Sequence, residues 1–170
     1  MPIMMIFVLL VIALIVISGL SSGRQLQASG AVSSAQQQVG TIVSHIQSLY
    51  ANNVDYSNLS NTVACTANVF PQGCSGGQNV TSSLGGAVSV WPDAGPPPDF
   101  NVSLLAPSNA LCIQAATSIP AWQVYVWNQS SPSPVLLNPA GGAVSPTVAQ
   151  QNCTFGSNNV VDFKFLKTSQ

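Results

Sequence analysis

Four cysteines, Cys65, Cys74, Cys112 and Cys153, are the side chains best placed to do covalent chemistry. A zinc site is a poor match. The Cys65–Cys74 interval is too wide for a C-x₂₋₄-C pair, and His45 is the sole histidine. An even number of cysteines beyond a long apolar segment reads as two disulfides, and so as an extracytoplasmic domain. Three pairings are possible, and Cys65–Cys74 with Cys112–Cys153 is the preferred one. In the chain-entropy model these two loops stabilise by roughly 3 and 4 kcal/mol.

No set of residues reads as a catalytic centre. Serines are abundant, but there is no G-x-S-x-G elbow, and no Ser–His–Asp set is visible. His45 stands beside an apolar helical stripe, with no second histidine and no glutamate to work with. Asp93 and Asp99 flank a proline loop and suggest calcium, but turn chemistry accounts for both. Asp162 and Lys164 alternate with Val161, Phe163 and Phe165, so they face outward from a terminal strand. With Lys167 they are candidates for a contact between subunits. Asn58, Asn79, Asn101, Asn128 and Asn152 each open an Asn-x-Ser/Thr triplet, which makes them glycosylation candidates. The expectation is no enzyme, no cofactor and no metal.

Charged residues make up 4% of the chain: three basic, four acidic and no glutamate. Ordinary domains carry about 25%. Three cations cannot form a nucleic-acid patch. A surface of Ser, Thr, Asn and Gln suits a chain that packs into a polymer, and its shortage of titrating groups suits an acidic or saline habitat.

The elements that position these residues begin with an apolar run. Met1 to Ile17 carries no charge, and the first charged residue is Arg24. With Ser18, Gly19 and Leu20 the run reaches the roughly 20 residues that span a bilayer core. It is apolar all round, so it belongs in lipid or inside an assembly. There is no basic n-region and no basic cytoplasmic flank. Either the topology signal is weak, or a charged leader has been removed and Met1 is the mature terminus. Gly19 and Gly23 mark where the helix can bend or melt.

From Ala28 to Tyr50 apolar residues recur at spacings of three and four among Gln, Ser, Gly and Thr, which predicts an amphipathic helix. Joined to the apolar run it makes a rod of about 75 Å. Residues 53 to 86 read as a long loop stapled by Cys65–Cys74. Strands are expected at 86–91, 100–105, 122–127 and 159–166, with a short one at 135–137. Short helices are expected from Pro107 to before Pro120, and from Pro146, capped by Ser145, to Cys153. The fold class is α+β, a long N-terminal helix packed on an antiparallel sheet. The expected divisions are a hydrophobic helix at 1–24, its amphipathic continuation at 25–52 and a head domain at 53–170.

This order of features resembles type IV pilins of the type IVb group, which includes the toxin-coregulated and bundle-forming pilins and thin-pilus subunits. Several stretches carry the likeness: the apolar helix beginning at a methionine, Ile46-Gln47-Ser48-Leu49-Tyr50, Tyr56-Ser57-Asn58-Leu59, Val69-Phe70-Pro71, Gly85-Gly86-Ala87-Val88, and the Cys112 and Cys153 pair before a β-strand terminus. The resemblance spans most of the chain. It implies a major pilin that polymerises with itself through Met1, Met5, Phe7, Leu10, Leu14 and Ile17. It also implies residence in the inner membrane before assembly, a prepilin peptidase and pilus machinery as partners, and a final place in an extracellular pilus. Adhesion, aggregation, motility, DNA uptake and conjugation are all compatible. The alternatives are a minor pilin or pseudopilin of a secretion system, and a membrane-anchored binding domain. One departure stands out. The family usually has a glutamate at the fifth mature position, where it pairs with a neighbour's amine, and this chain has Met5 there if Met1 is the mature terminus.

Overall fold

The structure is a computed structural model, and it describes residues 28–93, 98–139 and 141–167. The polymerisation candidates Met1, Met5, Phe7, Leu10, Leu14 and Ile17, and the bend candidates Gly19 and Gly23, lie outside the described residues.

The first described element is helix α1 (28–49). Val32, Ala35, Val39, Ile42 and Ile46 are its buried apolar positions, at steps of three and four, so one stripe of the helix enters the core. Gly30, Ser33, Gln37, Gly40, Ser44 and Ser48 lie exposed. Helix α2 (Asn61–Thr66) follows, capped by the Ser60 hydroxyl, which accepts from the Val63 N–H. Next come β1 (Val80–Thr81), β2 (Ala87–Asp93), β3 (Asp99–Ala106), α3 (Asn109–Ser118), β4 (Gln123–Asn128), β5 (Ser131–Leu136), α4 (Pro146–Asn152), a 3₁₀ turn at Gly156–Asn158 and β6 (Asn159–Leu166). The strands form an antiparallel sheet in the order β1-β2-β3-β6-β4-β5. The C-terminal strand β6 is therefore inserted between β3 and β4, and it ties the two halves of the head together.

Alternation sorts the sheet into two faces. Val88, Val90, Phe100, Val102, Leu104, Val124, Val126, Val161 and Phe163 share one core with the α1 stripe. Tyr50, Tyr56, Phe100 and Phe165 continue it as a chain of ring contacts, with centroids 4.7 to 5.7 Å apart.

Several expectations need correction. The stretch read as a loop from 53 to 86 contains α2 and β1. The strand expected to stop at Pro92 runs on to Asp93, and the short strand expected at 135–137 is β5, which contains Pro132 and Pro134. Both are tolerated because β5 is an edge strand, and β2 is an edge beyond its short pairing with β1. A missing N–H on an open side breaks no ladder bond. Ser145 stands at the start of α4 with Pro146 in its first turn, but its side chain makes no capping bond.

The sheet's edge at β2 is closed by a side chain. The Asn61 amide donates to Gln78 O and Val88 O, both at 3.0 Å, and its oxygen accepts from the Val90 N–H at 2.8 Å. It pairs with β2 as a further strand would, which removes a template for strand addition. Just before β2, Gly86 lies against β3 so closely that a Cβ there would stand 1.9 Å from the Leu105 carbonyl oxygen. Gly86→Ala should therefore displace β2 and cost about 3 kcal/mol or more. A urea melt checks this, and a midpoint matching the wild type would contradict it.

Candidate assembly interface

With so few charges, buried neutral amides fix the loops around α1 and the sheet. Each amide can donate and accept at once. Gln38, 3% exposed on α1, is the main example. Its amide donates to Gln72 Oε1 at 2.6 Å and Thr81 O at 3.3 Å, and its Oε1 accepts from the Ser83 N–H at 3.0 Å. It thereby clamps the segment between α2 and β2 onto the helix. His45, one helical turn from Ile42, lies 3.0 Å through Nδ1 from Val69 O and holds the same segment. Asn138 accepts from the Val124 N–H at 2.5 Å and donates to Gly142 O at 2.6 Å. Asn159 donates to Asn109 Oδ1 and Gly156 O, which joins β6 to the start of α3. Sequence reasoning passed over these amides, because an Asn or Gln in a polar stretch carries no sign that it is buried.

Two disulfides complete the frame. Cys65–Cys74 ties α2 to the loop after it, and Cys112–Cys153 ties α3 to the end of α4. Cys112 and Cys153 are 0% and 1% exposed, so this bond lies within the core.

The acidic residues do not form a metal site. Lys164 Nζ lies 2.7 Å from Asp93 Oδ2 and 2.9 Å from Asp99 Oδ2, in the position a bound cation would need, and 5.6 Å from the Trp122 ring centroid. Burial works against the lysine charge, and the two carboxylates outweigh it, holding its pKa above the usual lysine value. Burial also pushes the Asp99 carboxyl up, against the pull of Lys164. Lys167 donates to the Asn53 carbonyl and so fastens the end of β6 to the turn after α1. Among the described residues no cluster of His, Cys, Asp or Glu could hold a metal ion.

Asp162 corrects the sequence reading. It does face away from the core, as alternation requires, but it is only 8% exposed rather than a solvent-facing partner. Trp127 donates its indole N–H to Asp162 Oδ2 at 3.1 Å, while Oδ1 has no partner among the described residues. The Ser103 hydroxyl, on the residue paired across from it in β3, is likewise unpartnered. Burial pushes the Asp162 carboxyl up to about 7, against the opposing effect of the Trp127 bond.

Of the glycosylation candidates, Asn58 and Asn79 are exposed, and Asn128 and Asn152 are half-buried. Asn101 is 7% exposed within β3, where a glycosyl group has no room. A groove of about 430 Å³ runs between Gln36 on α1, the end of α3 and the 138–144 loop. Its lining is uncharged. Among the described residues, no helix is long and apolar enough to cross a membrane.

A family model described as PilS N terminal matches residues 29–165. Comparison with curated protein sequences gives no match. Among solved structures, the chain is similar to TcpA, a type IV pilin from Vibrio cholerae El Tor biotype. The TM-score is 0.56 at 12% identity, over 79% of this chain and 98% of that one, a likeness of fold. With its helix-backed antiparallel sheet, the chain belongs to the PilS N-terminal family: it is a type IV pilin of the type IVb kind, a structural subunit of a pilus.

Proposed function

We propose that this chain is the major subunit of its pilus and polymerises through the apolar segment that precedes α1. The one-sided burial of α1 carries this reading. The helix gives one stripe to the head and leaves the other face, with Gly30, Gly40, Ser44 and Ser48, exposed. The preceding run, Met1 to Ile17, is apolar all round and needs burial on every side. A filament core of packed helices supplies that burial, with amphipathic segments 25–52 inside and heads 53–170 outside. A head-to-tail contact that does not close on itself then yields a helical polymer.

Before assembly the same run is held in the inner membrane, where the prepilin peptidase and pilus machinery act on it. The finished pilus is extracellular and serves adhesion, aggregation, motility, DNA uptake or conjugation. Asn58 and Asn79 are the most accessible glycosylation candidates.

A charge in the apolar run tests the proposal. An aspartate at the centre of a membrane helix costs about 3 kcal/mol. Leu10→Asp should remove filaments from the sheared fraction while leaving a folded, disulfide-bonded head. Filaments in wild-type amounts would refute polymerisation through this segment.

A further inference from the structure

The face of the sheet turned away from α1 carries large side chains that lie outside the core. Trp91 on β2, Leu105 on β3, and Tyr125 and Trp127 on β4 point to this side and take no part in the core cluster. All four are half-buried, so each keeps part of its surface open to solvent. The aromatic side chains of β4 are held in place. Trp127 is bonded through its indole N–H to Asp162, and the Tyr125 hydroxyl donates to Gln123 Oε1 at 2.9 Å. Two cross-strand rows run between the edges, Ser89–Ser103–Asp162–Tyr125 and Trp91–Asn101–Lys164–Gln123.

The charges on this face are already engaged. Lys164 is shared by Asp93 and Asp99, and Asp162 is sealed beneath Trp127. An anionic ligand finds no free cation on this face among the described residues, and the carboxylates there are paired with Lys164 or buried beneath Trp127. The middle of the face, on β3 and β6, is polar, whereas the centre of a protein–protein interface is apolar. What remains is a pair of indole platforms separated by hydroxyls and amides that both donate and accept.

We propose that this face binds a neutral polysaccharide laid diagonally across the strands. Trp91 and Trp127 stack on its sugar rings, and Ser89 and Tyr125, each two residues from an indole on its own strand, bond its hydroxyls. Trp91 and Trp127 stand three strand spacings and four residues apart, about 20 Å, so a single sugar reaches one indole and an extended chain reaches both. In the filament proposed above, α1 faces inward and this face looks outward. The binding itself needs only the folded head, so it stands or falls separately from polymerisation.

The test uses the full chain in detergent, with tryptophan fluorescence and calorimetry read against cellohexaose, maltohexaose and chitohexaose. Glucose and polygalacturonate serve as the short and anionic controls. At least one neutral hexasaccharide should bind, and glucose and polygalacturonate should not. Trp91→Ala and Trp127→Ala should each weaken binding about tenfold or more. Trp91→Tyr, which keeps a stacking ring, should retain most of it, and circular dichroism checks the fold of each variant. Three results would overturn the proposal: no binding to any of the three hexasaccharides, affinity unchanged in both alanine variants, or self-association through this face, abolished by the same variants, without saccharide binding.

Discussion

Asp162→Asn should stabilise the head at neutral and alkaline pH and flatten its pH dependence. The carboxyl of Asp162 is buried with one oxygen unpartnered, and its pKa rises from 3.8 to about 7 on folding. Between those values the folded chain keeps a proton that the unfolded chain has lost. Stability is therefore greatest below pH 4, falls as pH rises towards 7, and levels off above it. At about 1.4 kcal/mol per pH unit, the decline from this group is about 4 kcal/mol. Asp99, also raised by burial, acts in the same direction. Asp55, lowered by the Ser57 N–H, acts in the opposite direction from an exposed site. Asparagine keeps an acceptor for Trp127 and gives Ser103 a donor, without a charge to bury. Urea melts at several pH values, on wild type and variant, read the effect. A wild-type head that gains stability between pH 4 and pH 7 would contradict the assignment.

Loss of the Cys112–Cys153 bond should be the most damaging covalent change. It closes a sequence separation of 41 residues that contains α3, β4, β5 and α4, and it joins two helices inside the core. Replacing both cysteines by serine should cost about 4 kcal/mol from the freed unfolded chain, plus the burial of two hydroxyls in place of sulfur. Removing Cys65–Cys74, with a separation of 9 and partly buried sulfurs, should cost about 3 kcal/mol or less. Denaturation of the two double variants side by side checks the order. A larger loss for the shorter loop would show that local packing outweighs chain entropy here.

The elements most legible in the sequence were those whose apolar residues keep a strict period. The three-and-four spacing from Val32 to Ile46 marks α1, and the alternation in Val124-Tyr125-Val126 and Val161-Asp162-Phe163 marks β4 and β6. Helix α2 escaped notice because its six residues bury only Ala64, leaving no period to see. β5 escaped in part because its prolines look like breakers until the strand is known to be an edge. The place of β6 between β3 and β4 depends on pairing across the whole head, which no local pattern encodes. The same limit hid Asp162. Alternation tells which way a side chain points, but whether Trp127 leans over it depends on the neighbouring strand.

The central claim is that this pilin builds its filament from the apolar segment before α1. Electron microscopy of material sheared from cells making the protein, with N-terminal sequencing of the band, tests it most directly. The account predicts helical filaments of this chain, with the apolar helices packed along the axis and the sheet face opposite α1 outward. A chain recovered only as a monomer in detergent extracts, with no filaments in the sheared fraction, would contradict it.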